Sequence, residues 1–245
     1  MTIKSIVMKY VFKVILCSVF IFLFSCKKED ETPKVIYENP SKVVVSPKVD
    51  TTKIEVADLP IQMEGTNYLL FPIGELGGSD KNYDSSSRGG SQLNYKVSNY
   101  SEYQITGYMR NLKFQLIGKD SIKDLTDKDV VIQSVTYLKS IADKTKQQIL
   151  VYVAEDMDTN KDSKLDDNDI KALYLSDISG DRFVKISFDY QELIDWSIME
   201  VTNRLYYRTI EDANKNGAFD KKDKLHYYFI DLSNKQWKAI EYNPL

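Results

Sequence analysis

Side chains that carry metal and nucleophile chemistry are scarce in this chain. It has one His, His226, and two Cys, Cys17 and Cys26, in 245 residues. These cannot assemble the Cys/His ligand set of a structural zinc site. Beyond Cys26 there is no cysteine, which excludes disulfide staples and a cysteine nucleophile from the rest of the chain. No excess of positive charge exists either. The 33 Lys+Arg face 36 Asp+Glu, for a net charge of -3 and a pI near 5.4. Without a basic field, nucleic acid is not an expected partner. The apolar run at residues 14–24 falls short of the roughly 20 residues a spanning helix needs. No Gly-x-Ser-x-Gly elbow occurs, and Gly77-Gly78 and Gly89-Gly90 lack the Walker spacing of a phosphate loop. No catalytic residue is assigned, and the chain is not expected to be an enzyme. The 42% hydrophobic and 28% charged content is that of a folded globular protein.

What is present begins with an address. Lys4, Lys9 and Lys13 precede the apolar run, the order of a secretion signal over residues 1–25. The run ends Leu23-Phe24-Ser25-Cys26, which resembles a bacterial lipobox. The resemblance implies cleavage before Cys26 and lipidation of Cys26, with the acyl chains as the membrane anchor. Lys27-Lys28-Glu29-Asp30-Glu31 resembles the Lys-acid-acid export signal of surface lipoproteins in some Gram-negative bacteria. That implies a lipid anchor in the outer membrane facing the cell exterior, with the periplasmic face as the alternative.

Residues 26–52 alternate charge with Pro33, Pro40 and Pro47 and read as an extended tether. From residue 53 to 245, short stretches rich in Val, Ile, Tyr, Phe and Thr are bounded by Asp, Asn, Gly and Ser, so the expected class is all-β. The Tyr spacing matches strand alternation, which points to sheet packing. An internal repeat is visible at an ungapped offset of 54. Tyr152 falls on Tyr206, Asp158 on Asp212, Asp166 on Asp220, Asp169 on Asp223, Tyr174 on Tyr228 and Ile186 on Ile240. A weaker third copy places residues 112–125 on 173–186 at an offset of 61. The predicted arrangement is three antiparallel four-strand units, about 53–127, 128–188 and 189–245. They resemble propeller blades, with an open β-stack or a β-sandwich as alternatives.

Two acidic loops stand in the same repeat register, 158–169 and 212–223. Each places a side-chain oxygen at positions 1, 3, 5, 9 and 12: Asp158, Asn160, Asp162, Asp166 and Asp169, then Asp212, Asn214, Asn216, Asp220 and Asp223. Calcium takes roughly six to eight hard oxygen ligands, and such spacing curls the chain to present alternate side chains and one backbone carbonyl. Those carbonyls belong to Lys164 and Ala218 at position 7. The pattern resembles the calcium loops of EF-hand and dockerin proteins and the hairpin version in FG-GAP blades of integrin-type propellers. The resemblance implies calcium as cofactor. The hairpin version fits the strand-like flanks and puts position 9 in the shell, while the EF type would use position 12.

His226 lies in a strand-like run and reads as a sheet residue. Acid pairs such as Asp156/Asp158 and Glu211/Asp212 are explained by the loops. The expected role is therefore a calcium-stiffened binding or scaffold module on the cell surface, for a glycan or protein ligand. A surface hydrolase acting on glycan or peptide is the alternative. The Gly/Ser/Asn-rich residues 77–92 are a candidate contact loop.

Overall fold

The computed structural model describes residues 33–37, 54–76 and 96–245. Cys26, the signal segment and the candidate contact loop 77–92 lie outside the described residues. The fold is all-β and antiparallel, with three sheets and, among the described residues, one short helix, α1 (Lys139–Thr145).

The first sheet has five strands: β1 (Ile54–Ala57), β2 (Ile61–Gln62), β3 (Tyr68–Leu76), β6 (Asn111–Leu116) and β7 (Ile122–Asp124). The path is β1-β3-β6-β7, with β2 also on β3. Between β3 and β6 the chain leaves to form the hairpin β4 (Ser98–Ser101) and β5 (Gln104–Met109). That hairpin joins the second sheet through β8 (Val131–Tyr137), whose path continues through β9 (Ile149–Glu155), β10 (Lys171–Asp177) and β11 (Val184–Lys185). The third sheet is the meander β12 (Gln191–Met199), β13 (Arg204–Glu211), β14 (Lys224–Asp231) and β15 (Ile240–Glu241). The sheets thus hold five, six and four strands rather than four each. The hairpin accounts for the second sheet's excess, because it supplies backbone partners to the otherwise open edge of β8.

The sheets stack through two cores. In the first, Leu70, Leu112 and Phe114 of the first sheet meet Leu150, Tyr152, Ala154 and Tyr174 of the second. In the other core, Val151, Leu173 and Leu175 on the opposite face of the second sheet meet Leu205, Tyr207, Tyr228 and Ile230 of the third. Strand β9 is therefore apolar on both faces, as an inner layer must be. The turn after β10 seals the first core. Gly180 has φ +76°, and a Cβ there would come within 2.6 Å of the Phe114 ring.

The stacking corrects the repeat register by one residue. Tyr152 pairs with Tyr174 across β9 and β10, while Tyr207, not Tyr206, pairs with Tyr228 across β13 and β14. The offset is thus 55 on the first strand and 54 through the loop and second strand. A one-residue slip exchanges the two faces of a strand, so burial decides the match. Tyr152 and Tyr207 are both buried and face the preceding sheet. Tyr206 turns to the other face of the third sheet and packs with Phe229 and Tyr242.

Candidate functional site

The acidic loops join adjacent strands of a hairpin, β9 to β10 and β13 to β14, and have no flanking helix. Their internal hydrogen bonds follow one scheme. At position 1, Asp158 Oδ2 accepts the N–H of Ser163 (2.9 Å) and Asp212 Oδ2 that of Gly217 (2.7 Å). At position 3, Asn160 Oδ1 accepts from the Asp162 N–H (2.9 Å) and Asn214 Oδ1 from the Asn216 N–H (3.0 Å). At position 5, Asp162 and Asn216 accept the N–H groups of Lys164 and Ala218, both at 2.9 Å. At position 9, Asp166 and Asp220 accept those of Asn168 (2.9 Å) and Lys222 (2.7 Å). Position 12 closes the loop across its mouth. Asp169 takes the N–H groups of Thr159 (2.7 Å) and Asp166 (3.0 Å), and Asp223 those of Ala213 (3.2 Å) and Asp220 (2.6 Å).

This wrapping needs left-handed backbone at positions 4 and 6. Lys161 and Ser163 have φ of 58° and 67°, and Lys215 and Gly217 have 56° and 84°. Side-chain acceptors reaching N–H groups two residues ahead are what Asx turns supply. The loops differ in burial. Asp169 has no exposed surface, and that burial pushes its carboxyl upward while the N–H groups of Asp166, Thr159 and Asn160 oppose the shift. Its Oδ1 also accepts the Asn160 N–H (3.3 Å), so its lone pairs are spent inside the protein. Asp158 Oδ1, by contrast, is shielded from solvent and accepts no hydrogen bond. Among the described residues, no three carboxylate, imidazole or thiol side chains converge as a metal-holding group. Hydrogen bonds to the loops' own backbone hold the acids.

Residues 33–37, within the stretch read as tether, lie between the loops. The Val35 N–H donates to Gly217 O (3.2 Å) and the Ile36 N–H to Thr159 O (2.8 Å), so one extended segment bonds to both loops. The Thr159 hydroxyl donates to Lys34 O (2.8 Å). Val35 is 2% exposed. Tyr37 lies near Asp212, and its ring packs 5.9 Å from that of Tyr190; burial and then the Asp212 charge push its hydroxyl up to about 12. Gly217 permits the approach, since a Cβ there would lie 2.5 Å from Val35 O.

Lys34 reaches past the first loop into a partly buried charge cluster. Its Nζ donates to Asp169 O (3.3 Å) and Glu192 Oε1 (3.0 Å), and Lys171 Nζ lies 3.3 Å from the same Glu192 oxygen. Glu155, fully buried at the end of β9, accepts from Gln133 Nε2 (2.5 Å), while its Oε2 has no partner. Burial pushes its carboxyl up to about 8; Glu192 adds to this, while its own backbone N–H, Lys34 and Lys171 oppose it. An open groove of about 340 Å³ shares Gln133 and Lys171 with this cluster and is also lined by Leu193 and Trp196.

His226 is buried in β14, with Nδ1 2.8 Å from Glu241 Oε1, Nε2 2.9 Å from Glu211 Oε2, and its ring stacked on Tyr228. Lys34, Val35, Tyr37, Thr159, Glu155 and Glu192 were not singled out by sequence. Their one visible signal is the apolar run Val35-Ile36-Tyr37 within a charged, Pro-containing stretch. Comparison with known proteins finds no family model that matches the chain and no curated protein that matches it.

Proposed function

We propose that this chain is a lipoprotein anchored in the outer membrane through Cys26 and turned outward, with two hairpin loops that hold calcium and stiffen a binding or scaffold module. The observation that carries the calcium reading is the shared wrapping of the loops together with the shielded, unpartnered Asp158 Oδ1. An orphaned buried carboxylate oxygen is costly, and a hard cation is the partner that suits it. The donors would be Asp158, Asn160, Asp162 and Asp166 with the Lys164 carbonyl, and Asp212, Asn214, Asn216 and Asp220 with the Ala218 carbonyl. Asp169 and Asp223 close the loop mouths by bridging backbone N–H groups from both ends of each loop, and they are the alternative donors under the EF-type reading. Bound calcium supplies charge neutralisation and ties the two strands of each hairpin.

Melting the detergent-purified full chain in calcium and in chelator tests this. At a hundredfold excess over the dissociation constant, a ligand specific to the folded state adds about 2.7 kcal/mol. Calcium is expected to raise the melting temperature, and Asp158→Ala is expected to shrink that rise. Superimposable curves in calcium and chelator would reject the reading. For the anchor, Cys26→Ala is expected to move the protein from the membrane to the soluble fraction, and protease shaving of intact cells reads its sidedness.

Blade-like stacking supports the module reading. The second sheet presents one face to the first sheet and the other to the third, and the third sheet's remaining face carries Tyr206, Phe229 and Tyr242 with Arg204 over Phe229. Aromatic and Arg side chains on a rigid sheet are the composition of a binding surface for glycan or protein. Retention on polysaccharide and peptide panels without product formation is the expected result.

A further inference from the structure

We propose that the cleft between the two loops is a docking site for an extended peptide, and that its resident ligand is the chain's own residues 33–37. The cleft combines a main-chain and a side-chain component. Backbone recognition comes from one loop on each side, through Thr159 O and Gly217 O. Side-chain recognition follows the strand-like alternation. Val35 is buried, Ile36 points outward at 42% exposure, and Tyr37 turns back to Asp212 and Tyr190. Lys34 adds charge selection, because Glu192 and the Asp169 carbonyl receive its ammonium.

The ligand class is thus a basic residue, a buried aliphatic, an unrestricted residue and a tyrosine in extended conformation. Residues 33–37 thus join the domain at the loop end of the second and third sheets, ahead of β1 in the chain. Peptide docking by main-chain hydrogen bonds with pockets for alternate side chains is a known recognition mode. The cleft achieves it with two loops rather than a sheet edge. The backbone contacts to Thr159 O and Gly217 O use none of the proposed calcium donors, although Tyr37 shares Asp212 with the second loop's set.

The test uses the full chain, purified in detergent, and two variants in residues 33–37 that leave both loops intact. Val35→Asn places an unpaired amide in the apolar contact, and Ile36→Pro deletes the N–H donated to Thr159 O. Tryptic cleavage after Lys34 is followed by mass spectrometry and normalised to the same bond in the denatured chain. Wild type is expected to be cut at least tenfold more slowly than either variant. A labelled peptide copying residues 32–38 is then expected to bind the Val35→Asn protein and not wild type, whose site is filled. Equal normalised cleavage of wild type and both variants would overturn the proposal. So would failure of the peptide to bind a variant whose melting curve shows an intact fold.

Discussion

Glu155 carries the clearest residue-scale prediction. Its carboxyl is raised from an ordinary 4.5 to about 8, chiefly by burial, so the folded state favours the protonated form. A carboxyl whose folded value is raised contributes stability that is fully present below pH 4.5 and is lost as pH climbs through about 8. Glu155→Gln keeps the acceptor for Gln133 and removes the charge. The variant is expected to gain on wild type progressively across that interval, at up to about 1.4 kcal/mol per pH unit. Melting curves at several pH values check this, and a difference that does not change with pH would contradict it. Sequence reading could not mark Glu155, because a Glu closing an apolar strand looks the same whether its side chain meets water or a neighbouring sheet.

At the scale of the element, the two loops are a natural comparison of one backbone with different side chains. Position 6 is left-handed in both, with Ser163 at φ 67° and Gly217 at 84°. A left-handed residue with a Cβ costs about 1–2 kcal/mol. Ser163→Gly is therefore expected to stabilise the protein by about 1 kcal/mol. Gly217→Ala is expected to destabilise it by more than that penalty, because its Cβ would also push on Val35 O. Chemical denaturation of both variants reads the opposite signs. The loop pattern was legible because it depends on local spacing of oxygen side chains. The hairpin β4–β5 was not, because its Ser, Asn, Glu and Gly residues at an exposed sheet edge carry a weak alternation. The one-residue slip between β9 and β13 was hidden too, since Tyr206 and Tyr207 are adjacent and either can answer Tyr152 in an ungapped alignment.

At the scale of the whole molecule, the second sheet is the middle layer between two separate cores. Leu70 belongs to one and Leu205 to the other, and both are fully buried. Each Leu→Ala change is expected to cost about 2–5 kcal/mol. Because the sites share no core, the double variant is expected to lose the sum within about 0.5 kcal/mol. Equilibrium denaturation of the two single variants and the double variant measures it, and a large coupling would show that the layers do not act independently.

By itself the sequence determined that the chain is all-β. Alternation of β-branched and aromatic residues is a local property, and only a half-buried or buried strand satisfies it. It also determined where the two acidic loops lie, since loop chemistry is written in adjacent residues. Tertiary structure alone decided which face of each strand meets which sheet, because that depends on a register no single strand encodes. It also decided the fate of residues 33–37. Proline and charge describe an extended segment equally well in water or in a cleft, and only Thr159, Gly217, Asp212 and Glu192, brought together from distant parts of the chain, distinguish the two.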